Sequence, residues 1–115
     1  FLVHDAAEAV LGDMSKPVKS LPGISEAFEI AEDKIMNAVI ERYGLSRDAE
    51  VWAAVRKIDA RMLFTEKRDL LMRTDYRWNG FSEEPIPYYS RVERMSPEKV
   101  KEQFLQLADH LGLKD

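Results

Sequence analysis

An all-α fold is what this 115-residue sequence predicts, and three observations predict it. Apolar residues recur at three- and four-residue spacing along three segments, the mark of a helix with one buried side. Helix-capping and helix-stopping residues stand at the ends of the segments. No stretch alternates apolar and polar residues as a half-buried strand would, and no repeat or low-complexity tract interrupts the pattern.

The elements follow in order. FLVHDAAEAVL predicts a first helix over residues 1–11, stopped by Gly12. Its eight apolar residues leave His4, Asp5 and Glu8 only a thin polar strip, so the helix is expected to be largely buried. GDMSKPVKSLPG, residues 12–23, holds two prolines and two glycines and predicts a loop. A second helix runs from Ser25, as N-cap, to Tyr43, with Ile24, Phe28, Ala31, Ile35 and Val39 on one side and Gly44 as the stop. Ser46 is placed to cap a third helix from Arg47 to about Met72, striped by Val51, Val55, Ile58 and Met62. Residues 73–95 carry Tyr76, Trp78, Phe81, Pro85, Pro87, Tyr88 and Tyr89 and predict an ordered loop whose aromatics pack back on the helices. The last helix opens on S-P-E-K, with Ser96 as N-cap and Pro97 as its first residue, and carries Val100, Phe104, Leu107 and Leu111.

Composition narrows the function. Hydrophobic residues at 45% and charged residues at 33% describe an ordinary globular protein, and the length is that of one domain over residues 1–115. A net charge of −4 with lysines and arginines scattered among acids argues against duplex nucleic acid or an anionic membrane as the main partner. The absence of cysteine excludes disulfides and thiolate metal sites and is compatible with a reducing cytoplasm. No apolar run has the ~18 residues needed to cross a bilayer, and the acids within FLVHDAAE, with no basic stretch before them, do not fit a signal peptide.

Several polar residues face the wrong way for a plain bundle. On a helix His4 and Glu8 share a face one turn apart, and Asp5 lies three residues before Glu8. That strip must meet a salt bridge, a water-filled cleft or a metal. Asp59 poses the same question, four residues after Val55 and three before Met62. Burying its carboxylate alone would cost several kcal/mol, so it needs an Arg or Lys from another helix, or a cation shared with His4 and Asp5. Imidazole and carboxylate donors suit Mn, Co, Mg, Fe or Zn. Spacing alone favours the salt-bridged reading, because an adjacent His-Asp pair is common by chance and a lone acid on an apolar face is more often salt-bridged than metal-bound.

The run HDAAEAVLGD, followed by SKPVK and later by KIDARMLFTEKRDLL, resembles the HD-domain metal-dependent phosphohydrolases, within them the branch of bacterial 5'-deoxynucleotidases and their relatives. The resemblance covers Leu2 to about Met72, and the proline-aromatic segment and last helix fit it loosely. It implies an HD-type helical bundle in which His4, Asp5 and Asp59 bind one divalent metal, Glu8 helps activate the attacking water, and Asp13 positions water or the sugar and phosphate of the substrate. The implied activity is a cytoplasmic phosphomonoesterase acting on nucleoside monophosphates or related small phosphate esters, with homodimerisation possible. The family carries a further ligand histidine on a helix before the HD doublet, and no histidine precedes His4 here. The sequence is therefore expected to be the C-terminal portion of the fold. The other reading is a non-catalytic helical module with a degenerate metal site, serving oligomerisation or partner binding.

Plainer roles compete at individual positions. Glu8 could be a salt-bridge partner, and Asp13, after Gly12, could bond local amides in a turn. Thr65 to Asp69 matches a family stretch but reads equally as an ion-pair set. Lys16 and Lys19 are expected to be solvated rather than phosphate-binding, and His110 to be a surface or packing residue.

Overall fold

The computed structural model describes residues 1–71, 78, 81 and 83–113. Among these residues the secondary structure is helical with no strand: α1 (Glu8–Leu11), α2 (Lys16–Lys19), α3 (Ile24–Tyr43), α4 (Ala49–Leu70) and α5 (Pro97–His110). The chain is all-α. It divides into two compact units, Phe1–Arg47 with Phe104–Asp115, and Asp48–Gln103. No helix of the described residues is long and apolar enough to cross a membrane.

The first unit opens differently from the expected eleven-residue buried helix. Residues 2–7 form successive hydrogen-bonded turns of the tighter i→i−3 kind, with His4 N–H to the Phe1 carbonyl at 2.9 Å and Glu8 N–H to that of Asp5 at 2.9 Å. A true α-turn forms only at Glu8–Leu11, closed by Gly12 N–H on the Glu8 carbonyl at 2.8 Å. So short a segment cannot repay the cost of α-helix nucleation without help from packing, and packing is sparse. Ala7 is buried while Val10 is 71% exposed. Gly12 ends the segment at φ +76°, as a left-handed stop requires.

Within the expected loop 12–23 lies the single-turn helix α2. Pro17 sits in its first turn, where a missing N–H costs nothing. Helix α2 packs on α3, fastened by the Lys19–Glu32 ion pair at 2.7 Å and by Lys19 lying 4.6 Å over the Phe28 ring. Helix α3 starts one residue before the predicted cap. The N–H groups of Ile24 and Ser25 both bond to the Leu21 carbonyl at 3.1 Å, so Ser25 falls inside the first turn, its hydroxyl 3.4 Å from Glu29. The predicted stripe stands: Phe28, Ala31, Ile35 and Val39 are half-buried, although Ile24 is exposed. Gly44 terminates the helix at φ +61°, and Leu45 N–H reaches back to the Ile40 carbonyl at 2.9 Å, a Schellman closure.

In the second unit α4 is capped by Asp48, not Ser46. The Asp48 carboxylate accepts the Glu50 N–H at 2.8 Å, and a negative cap also meets the positive end of the helix dipole. The expected core stripe is wet on one side, with Val51 46% and Ile58 38% exposed. Burial falls instead on Phe64 and Thr65. Phe64 collects Trp78 at 5.6 Å and Phe81 at 5.0 Å between ring centroids, so these two aromatics pack back as expected, whereas Tyr89 is wholly exposed. Met72 and Tyr76 lie outside the described residues.

Ser96 and Pro97 open α5 as predicted, the Ser96 hydroxyl accepting the Lys99 N–H at 3.3 Å. At the other end Leu113 N–H bonds to the Ala108 carbonyl at 2.9 Å around Gly112 at φ +77°. The apolar residues that predicted this helix are not core. Val100, Phe104, Leu107 and Leu111 are 42–57% exposed, and Ala108 alone is buried.

Candidate metal centre

The turn geometry of residues 2–7 decides how His4 is held. Its ring stacks on Phe1, with centroids 4.3 Å apart and planes 20° from parallel. Its Nδ1 lies 2.8 Å from the Phe1 carbonyl oxygen. A carbonyl can only accept, so Nδ1 carries a proton and donates it. On the opposite side Nε2 lies 3.0 Å from Asp5 Oδ2. Nε2 and the Asp5 carboxylate oxygen thus stand side by side, two donor atoms of the kinds that a cation takes. A backbone-anchored Nδ1 is also how a ligating histidine is commonly fixed in tautomer and direction. The His4 side chain is only 18% exposed and that of Asp5 58% exposed, so the imidazole is held while the carboxylate is open to solvent.

Glu8 adds to the negative field. Although it reaches solvent, its carboxyl is pushed above the ordinary glutamate range, first by partial desolvation, then by the charges of Asp5 and Asp13, with Glu32 adding and Lys19 opposing. The first unit therefore brings Asp5, Glu8 and Asp13 within electrostatic reach of one another. Asp13 is exposed directly after Gly12. Asp59 is exposed on α4 in the second unit. It is not the buried carboxylate that the apolar stripe predicted, because the stripe itself is half wet. The burial argument for a partner therefore does not apply to it.

Glu32 escaped the sequence reading. Its signal was its place directly after Ala31 on the half-buried side of α3, a position that calls for a countercharge, and Lys19 supplies one. The same pair engages Lys19, which was expected to be solvated. His110 is exposed in the last turn of α5. The stretch Thr65 to Asp69 proves to be an anchoring set. The guanidinium of Arg68 forks onto Asp69 at 2.6 and 2.7 Å, and Thr65 is the most deeply buried side chain described.

Compared with family models, with curated proteins and with solved structures, the chain matches none.

Proposed function

We propose that this protein is a divalent-metal-dependent phosphohydrolase of the HD-domain kind, a cytoplasmic phosphomonoesterase acting on nucleoside monophosphates or similar small phosphate esters. The observation that carries the reading is the His4–Asp5 pair, with Nδ1 anchored to the backbone and Nε2 turned to a carboxylate oxygen at 3.0 Å. The donor set fits a borderline or hard cation. The pair offers one imidazole nitrogen from His4 and one carboxylate from Asp5, and the reading adds the carboxylate of Asp59, all donors of the type that hold such ions.

When bound to such donors, a divalent cation supplies Lewis-acid polarisation of a phosphoryl oxygen and a lowered pKa for water. The rest falls to the chain's own side chains. Glu8 takes the proton from the attacking water, and a pKa raised by partial desolvation and by the charges of Asp5 and Asp13 makes it a better base than an ordinary glutamate. Asp13, exposed beside it, orients the water or the ester. Lys19 tempers the field through Glu32 and is not assigned to the phosphate.

Phosphate release from a nucleotide panel, measured with Mn, Co, Mg and Zn, tests the reading. Asp5→Ala is expected to reduce release to background, and equal activity of the two proteins would remove the metal-site assignment. Glu8→Gln is expected to lower the rate about 10²–10⁴-fold, the usual worth of a general base. It should also abolish the acid limb of the pH profile, in which activity rises as Glu8 deprotonates.

A second reading is a helical module for oligomerisation, favoured by the exposed apolar residues of α5. Metal analysis separates the two. An enzyme should gain about 2.7 kcal/mol of stability at a hundredfold excess of cation over its dissociation constant. A module with a degenerate site should gain none.

A further inference from the structure

One side of α4 holds the backbone of the segment that follows it. Arg61 Nε donates to the Ile86 carbonyl at 2.8 Å. The Thr65 hydroxyl donates to its own helix at Arg61 O and accepts the Tyr88 N–H at 2.9 Å. Arg68 donates to the carbonyls of Tyr88 at 2.7 Å and Ser90 at 3.0 Å. Asp69 accepts the Val92 N–H at 2.8 Å. The four helical positions lie on one side, at i, i+4, i+7 and i+8, and the groups they bind fall on alternate residues, 86, 88, 90 and 92. Of the side chains of the held segment, Ile86 is 79% exposed and Tyr89 wholly so, while Pro85, Pro87, Tyr88 and Val92 are half-buried.

The held segment is preset for this use. Pro85 and Pro87 fix φ and bias Glu84 and Ile86 towards extended backbone, which removes much of the entropy cost of docking. They also delete two N–H donors, leaving carbonyls for the arginines to meet and the Tyr88 amide for Thr65. One side chain is read directly: the Tyr88 ring lies 4.1 Å beneath the Arg61 guanidinium, a cation–π contact. At the edge, Lys67 approaches Glu84 at 3.7 Å.

We propose that the α4 surface formed by Arg61, Thr65, Arg68 and Asp69 is a receptor for a Pro-X-Pro-aromatic peptide, filled in this structure by residues 84–92 of the chain itself. Its ligand class is an extended, proline-spaced segment with an aromatic residue directly after the second proline. Covalent attachment gives the resident segment an effective concentration on the order of millimolar, so a free peptide gains access only when the resident is loosened.

The test uses the full chain and a fluorescently labelled peptide of sequence EPIPYYSRV. In the variant Tyr88→Pro/Val92→Pro the resident segment loses both amide donors and the aromatic contact, while α4 is untouched. Fluorescence anisotropy should show the peptide binding this variant at least tenfold more tightly than the unaltered protein. N-methylation of the peptide at its first tyrosine should weaken binding about tenfold, as expected for one lost hydrogen bond left unsatisfied. Replacing its isoleucine and second tyrosine by serine should leave affinity within about twofold, since exposed positions carry little binding energy. Circular dichroism checks that α4 is retained. If the double variant loses helix, Pro85→Gly/Pro87→Gly, which only relaxes the preset backbone, takes its place. Equal binding to altered and unaltered protein, or indifference to N-methylation, would overturn the proposal.

Discussion

The carboxylate of Asp69 is all but sealed, with its side chain 2% exposed. The Arg68 fork and the Val92 amide, in that order, hold its pKa down to about 2 against an ordinary value of 3.8. A depressed folded-state value means that the ionised form favours folding. The contribution is whole above pH ~4 and drains away as pH falls towards 2. Acid unfolding followed by circular dichroism should therefore be steeper in this window for the natural protein than for Asp69→Asn, which has no such proton to bind. Thr65 belongs to the same network, and Thr65→Val keeps its shape while stranding the Tyr88 N–H. The expected loss is about 1–3 kcal/mol by urea unfolding. Asp69 and Thr65 were visible in the sequence as a charged run on a helix, but not as anchors. The groups that they anchor, the Tyr88 and Val92 amides, lie more than twenty residues away, and a backbone amide has no letter in the sequence. The side-by-side placement of His4 and Asp5, by contrast, follows from adjacency and was legible.

At the scale of elements, spacing located α3, α4 and α5 because a 3.6-residue period is written in the side chains themselves. Their ends were harder to place. Ser46 and Asp48 are both good caps by type, and the chain uses the second, whose carboxylate meets Glu50 N–H. Asp48→Ala should cost about 1 kcal/mol, with Ser46→Ala costing distinctly less, and thermal melts of the two variants decide between them. Gly44 was predicted and found as the stop of α3. Its left-handed φ of +61° means that Gly44→Ala should cost about 1 kcal/mol, with Asn tolerated better. Residues 1–11 depart from the predicted helix because apolar content does not by itself set helix length. A segment with so few buried contacts settles into tighter turns, and those turns hand the Phe1 carbonyl to the His4 ring.

Among the described residues as a whole, burial is thin. The described core consists of Ala7 and Ala108 in the first unit and Phe64 with Thr65 in the second. Large apolar residues such as Val51, Phe104 and Leu107 remain substantially exposed. A hydrophobic period specifies which residues share a face; it does not say that anything covers that face, and so the predicted stripes of α4 and α5 were correct as patterns and wrong as cores. With so few deeply buried side chains, each carries a large share of stability. Phe64→Ala, which also deprives Trp78 and Phe81 of their packing partner, should cost about 3–5 kcal/mol, measurable as a shift in the urea midpoint.

The backbone clasp on α4 has a consequence for digestion. An endoprotease must pull its substrate's main chain into its own cleft, and between Ile86 and Val92 the main chain is held to α4 on alternate residues, through the carbonyls of Ile86, Tyr88 and Ser90 and the amides of Tyr88 and Val92. Tyr89, the most accessible aromatic among the described residues, should accordingly be a poor chymotrypsin site until that clasp opens.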